Sequence, residues 1–283
     1  GEMSVAGSAS IGLKNTSKTS TGKSWTMGNQ LTFSGSGELD NGMNVSLSFV
    51  IDQNDDSTKS TAAQLDNAPF DSHSVTVSSD AMGTLKFSGE GGSSAQAAID
   101  TTAAGDLWDN GSGFDTPKSS EGGNNSFIYT VPSLMDDLTL QGSYSPGSAG
   151  GPSATAFRVG FTGVEGLSVD FAEGQIETVG SEADVTTIKG SYAISSFTLS
   201  ASSTEYDAAS SDETVDSYNI AYTVSDDLSI AYGTETIETQ GSTVDEEADK
   251  FNVSYTTGGV TLSATQYNFE GSGNIAGAAG EKE

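Results

Sequence analysis

What most constrains this chain is an every-second-residue alternation that recurs from residue 3 to residue 269. In "NGMNVSLSFVIDQND" (41–55), Val45, Leu47, Phe49 and Ile51 take alternate positions, with Ser46 and Ser48 between them. Successive side chains of a β-strand point to opposite faces, so this segment is a strand with one apolar face and one small, polar face. Fifteen segments carry the pattern. They run from Val5, Ile11 and Leu13, through Phe157, Val159 and Phe161, to Tyr218, Ile220 and Tyr222, and end at Val260 and Leu262.

The connections have a rhythm of their own. Short turns are expected at 40–43, 80–83, 134–137, 163–166, 193–196, 224–227 and 256–259. Between them fall longer polar links, at 15–23, 53–70, 89–124, 146–153, 174–184, 206–215, 234–248 and from 270 onward. Strict alternation of short and long puts all the short turns at one end of the structure. A sandwich with Greek-key crossings has no reason to do this. An up-and-down transmembrane barrel does, with short turns on the periplasmic side and long loops outside. Such barrels have an even strand count, so a closing strand of about ten residues is expected after the fifteen.

The composition fits a barrel better than a sandwich. Only 34% of the 283 residues are hydrophobic, low for a chain that must fill a core between two sheets. In a barrel the apolar face meets lipid and the Ser, Thr, Asn and Gly face lines a watery lumen, so no apolar interior is needed. Closure also satisfies the backbone polar groups that hydrocarbon would leave unpaired. No run approaches the roughly 18 apolar residues of a spanning helix. The whole of 1–283 is expected to form a single barrel domain.

Charge and motifs narrow the function. The net charge is −29, from 39 acids against 10 bases, which argues against nucleic acid as a partner. Zero cysteines exclude a disulfide framework and a thiolate zinc site. The "DQNDDS" stretch (52–57) opens like a calcium loop at Asp52, Asn54 and Asp56, yet it has Ser57 and Ala63 where that loop needs Gly and Glu. The "GKS" at 22–24 has Ser17 where a phosphate loop needs its first Gly. His73, beside Asp71, is the sole histidine, and no nucleophile–base pair or elbow motif accompanies it. No cofactor is implied and no enzyme activity is expected.

On these residues the chain resembles a general bacterial porin of the 16-stranded trimeric type, of the α-proteobacterial kind. The resemblance covers Met3 to Phe269. It is most specific in "NNSFIYTVPSLMDDLTLQGSYS" (124–145), through Asn125, Ser126, Tyr129, Thr130, Pro132 and Leu134, and in "SFVID" entering the second loop. It implies a homotrimer in the outer membrane, in contact with its lipid and with lipopolysaccharide, that passes small hydrophilic solutes and ions. It also implies that the third long link, about 89–124, folds into the barrel and narrows the channel. That link carries Glu90, Asp100, Asp106, Asp109, Asp115 and Glu121 against a single Lys118, so an acidic constriction is expected.

Two features depart from the family pattern. Ser8 stands after Gly7 where a lysine is usual, and the chain has one arginine, Arg158. By strand parity Lys14, Lys86, Arg158, Lys189 and Lys250 face the lumen, a thin basic set. The expectation is therefore a cation-preferring diffusion channel. Its rivals are a soluble acidic β-protein, such as a calcium-dependent adhesin or carbohydrate-binding module, and a substrate-specific sugar porin. The adhesin would press its apolar faces together; the sugar porin would show a track of lumen-facing aromatics. Outward Tyr144, Tyr192, Tyr218, Tyr222, Tyr232 and Tyr255 fit interfacial girdles instead.

Overall fold

The computed structural model describes residues 2–15, 23–52, 70–111, 113–120, 124–147, 152–178, 180–258, 260–274 and 281–282; the side chains of 14, 15, 23, 24, 26, 274, 281 and 282 lie outside this set. The calcium-like and phosphate-like stretches and Glu121 fall largely or wholly outside it too.

All the strands join one antiparallel sheet in which neighbours in sequence are neighbours in space. In order they are β1 (Glu2–Asn15), β2 (Lys23–Glu38), β3 (Asn44–Asp52), β4 (Ser72–Ser79), β5 (Gly83–Glu90), β6 (Ser126–Thr130), β7 (Leu138–Ser145) and β8 (Ser153–Phe161). Then follow β9 (Leu167–Thr178), β10 (Ser181–Ile194), β11 (Phe197–Ala208), β12 (Glu213–Ser225), β13 (Leu228–Thr239), β14 (Glu246–Thr257), β15 (Val260–Glu270) and β16 (Glu281–Lys282). The sixteenth is a two-residue start on β15, where Lys282 faces Asn268 and Glu281 faces Phe269. Among the described residues β16 makes no pairing with β1.

Register explains the two faces. Val5, Phe33, Phe49 and Val45 share one face through their pairings, as do Ser4, Ser34, Ser48 and Ser74 the other. The apolar face is open: Ile11 is 74% exposed, Trp25 75% and Leu262 63%. The adhesin reading needs those faces buried against each other, and they are not.

The loop rhythm holds in the first half and is corrected in the second. The links expected at 174–184, 206–215 and 234–248 are mostly strand, and the connections shrink to 179–180, 209–212 and 240–245. Polarity there marks where the strands leave hydrocarbon, not where they end. Above the lipid, water solvates an outward polar face, while the inward face packs on the third loop. The result is a row of outward acids on β9 to β15: Glu173, Glu177, Glu182, Asp184, Glu205, Asp207, Asp216, Glu238, Glu247, Asp249 and Glu270. Among the described residues no Lys or Arg faces outward on these strands; Arg158, Lys189 and Lys250 have the opposite parity.

Candidate functional site

The link after β5 lies against inward-facing wall residues and is held strand by strand. A loop inside the lumen must find acceptors for its backbone N–H groups, and the wall supplies them in order. Ala95 N–H donates to Ser143 Oγ on β7 (2.8 Å), Ala103 N–H to Ser202 Oγ on β11 (2.8 Å) and Ala104 N–H to Ser217 Oγ on β12 (2.9 Å). Gln96 Nε2 donates to Thr187 Oγ1 on β10 (2.8 Å), and its Oε1 accepts from the N–H and hydroxyl of Ser120 on the loop's returning arm (2.7 and 2.8 Å).

Three wall glutamates then take the remaining donors. Glu235 on β13 accepts from Leu107 N–H (3.4 Å) and Trp108 N–H (3.1 Å), at the start of a single 3-10 turn, Leu107–Asn110. Glu246 on β14 accepts from Asp115 and Gly273 N–H, and Glu213 on β12 from Lys118 N–H (2.6 Å). All three are buried, at 1%, 0% and 5% exposure. Acids are almost never that buried unless partnered, and a carboxylate accepting N–H groups forms the stronger, charge-assisted kind of hydrogen bond.

Apolar packing completes the seat. Ala104 and Leu107 meet Ala248 and Phe269 of β14 and β15, with Phe114 and Tyr267 around them. Gly233 on β13 is needed for this approach, since a Cβ there would sit 2.8 Å from that of Ala104; at Gly174 on β9 it would sit 2.4 Å from Ser120 Cβ. The inward Tyr267 and Phe269 thus pack under the loop.

The expected site residues divide. Asp100, Asp106, Asp109 and Asp115 all lie on the inward loop. Asp109 and Asp115 are exposed, and Asp100 and Asp106 are half-buried. Asp106 Oδ1 accepts from Thr102 N–H (2.9 Å) while its own N–H donates to Thr102 Oγ1 (2.7 Å), so it closes the loop's tip. Burial first, then the nearby Asp106 charge, push the Asp100 carboxyl up to about 6, against the opposing pull of a Ser119 hydrogen bond and Lys189.

Glu90 lies elsewhere. It ends β5 opposite His73 after a bulge, with Oε2 3.9 Å from His73 Nδ1, and His73 stacks on the outward Phe49. The extra residue of the bulge, Gly89, turns Glu90 to the outer face.

Of the basic set, Arg158 donates to Asp170 Oδ1 (2.8 Å) and Gln141 Oε1 (3.0 Å). Lys189 Nζ donates to Thr101 O (2.6 Å) and Lys250 Nζ to Ala104 O, so both hold the loop. Lys86 is exposed on β5, and the Lys14 side chain is outside the described residues. The loop's Lys118 pairs with Glu213 Oε2 at 3.4 Å.

The sequence reading missed Glu213, Glu235 and Glu246 because they fall in stretches taken for external loops. Their inward parity, once β12 to β14 are extended, was the signal available.

An up-and-down sheet with a long loop tethered to its inward face is the architecture that the comparisons match. The family described as Gram-negative porin matches residues 2–274. The chain belongs to that family. As a porin it is an outer-membrane channel for passive diffusion. Among solved structures, this porin is similar to an engineered mutant of Rh. blastica porin (TM-score 0.70, 14% identity, covering 99% of this chain and 97% of that one). It is also similar to a loop-deletion mutant of OmpT, an outer membrane protein of Vibrio cholerae (0.70, 14%, 99% and 97%). A third is an anion-selective porin from Comamonas acidovorans (0.67, 15%, 95% and 89%). No curated protein sequence matches the porin.

Proposed function

We propose that this porin is a cation-preferring channel, built as one barrel domain over 1–283, with the 91–125 link as its constriction and no chemistry of its own. One observation carries the preference: most lumen cations are matched by a carboxylate. Arg158 has Asp170, Lys118 has Glu213, Lys189 lies near Asp100, and Lys250 lies near Glu235. Among the described side chains that leaves Lys86 against Asp106 and Asp109. An acid surplus at a narrow, low-dielectric passage concentrates cations. Barrels of this shape include an anion-selective one, so the side chains and not the fold decide the sign.

Reversal potential under a salt gradient, measured on single channels in a planar bilayer, is the test. It should lie on the cation side and move toward zero in the Asp109→Asn/Asp115→Asn double variant; an unchanged potential would sink the assignment of the constriction.

The partner reading is a homotrimer whose outer face otherwise meets membrane lipid and lipopolysaccharide. Outward tyrosines occur on β6, β7, β10, β12, β13 and β14, the girdle expected at a lipid–water boundary. No tyrosine precedes Tyr129, and β4 and β5 carry the outward His73–Glu90 pair. The face of β1 to β5 therefore suits protein contact better than lipid. Val75→Lys on β4 should lower the mass seen by light scattering in detergent, whereas Ile220→Lys on β12 should not.

A further inference from the structure

We propose that the pocket between the two arms of the constriction loop is a subsite for a small organic ammonium ion, held by Asp100 and Asp106 and covered by Trp108. The proposal rests on the cation-preferring reading and narrows it to a chemical class.

The pocket encloses about 160 Å³. Asp100, Thr102, Asp106 and Trp108 line it from the outgoing arm, Thr116, Pro117, Lys118 and Ser119 from the returning arm, and Thr204 and Val215 from the wall. Its size excludes a sugar chain or a nucleotide, since drug-sized ligands need about 300 Å³ or more. Roughly five waters would fill it at about 30 Å³ each.

The chemistry is divided within the pocket. Two carboxylates stand on one side, close enough that Asp106 raises the energy of ionised Asp100. Of the nearby ammoniums, that of Lys189 acts on Asp100 while donating to Thr101 O, and that of Lys118 is engaged by Glu213, by Ser211 O at 3.2 Å and by the Tyr206 ring 5.1 Å away, so the two carboxylates share one cation. A further positive charge would relieve the carboxylate repulsion. A bare metal ion would do so too, but it would leave Trp108, Pro117 and Val215 without a role, and no cluster of three metal-ligating side chains exists among the described residues. An alkylammonium uses both halves: its charge meets the acids, and its methylenes meet the aromatic and aliphatic walls.

The test uses Trp108 as its own reporter. The chain has two tryptophans, so Trp25→Phe on the outer face leaves Trp108 alone. The full chain in detergent is titrated with butylammonium chloride against sodium chloride and calcium chloride at matched ionic strength. Saturable change with butylammonium only is expected, and Asp100→Asn should raise the half-saturating concentration at least tenfold. In bilayers, butylammonium should interrupt the sodium current in discrete steps that Asp100→Asn removes and Trp108→Ala shortens. An equal response to sodium, or an unaltered titration in Asp100→Asn, overturns the subsite. A cation-preferring channel without the response overturns the subsite alone. An anion-preferring channel that keeps the response overturns the permeability reading and leaves the subsite standing.

Discussion

At the scale of single residues, the position of the inward loop is governed by side chains that act through its backbone. Glu235 takes two N–H groups that have no other acceptor described, so Glu235→Ala leaves both unsatisfied, at a cost of about 1–3 kcal/mol for the buried Leu107 group and less for the half-buried Trp108 group. The loop should loosen while the sheet stays intact. Open-channel current should become larger and noisier, and the barrel's heat-unfolding temperature in detergent should hardly move; a quiet channel of ordinary conductance would refute the anchoring role. Asp100 gives a pH dependence with a definite sign. A carboxyl held near 6 is anionic above that value and neutral below it. Lowering the pH from 7.5 to 5 should remove about one negative charge from the passage, and cation preference should fall with a midpoint near 6. Asp100→Asn should flatten that step.

At the scale of elements, the extended strands carry a cost of their own. Asp184 faces Asp207 across β10 and β11, Glu182 faces Glu177 across β10 and β9, and Glu247 faces Glu270 across β14 and β15. Like charges directly opposite destabilise a strand pair by a few tenths of a kcal/mol, up to about 1. Asp207→Asn should therefore raise thermal stability at low salt, and the gain should shrink as salt is added. These same elements show how far the sequence could be read. Alternation at Val45, Leu47, Phe49 and Ile51 revealed strand, face and barrel, because lipid demands an unbroken apolar row on one side. It failed at the outer ends of β9 to β14, at 174–184, 206–215 and 234–248, where the outward face turns polar and only scattered inward residues such as Val185, Val215 and Ile237 stay apolar, so a strand in water looks like a loop. The site was half legible for the same reason. Asp100, Asp106, Asp109 and Asp115 stood out as loop acids, but Glu213, Glu235 and Glu246 become visible only when three strands in register bring them under that loop. Glu90 was misplaced by one bulged residue, which turns it from lumen to outer face.

At the scale of the whole molecule, 39 acids against 10 bases make a body that repels itself and gathers counterions. Because the outer part of β9 to β15 is sheet, the spacing of its acids is fixed by the pairing of the strands. A floppy fringe of loops would spread when diluted and let its ion atmosphere thin. A hydrogen-bonded collar cannot. It works like a bed of ion-exchange resin set around the mouth, holding sodium at a level that the surrounding medium controls only weakly. At about 10 mM salt the screening length is about 30 Å, long enough for the whole collar to act at the opening. Conductance should then level off as salt is diluted below that range instead of falling in proportion, and neutralising Asp184, Glu205, Asp216 and Glu238 together should restore the proportionality. A bacterium carrying such a channel would keep its small-cation traffic steady through a sudden freshening of the water outside.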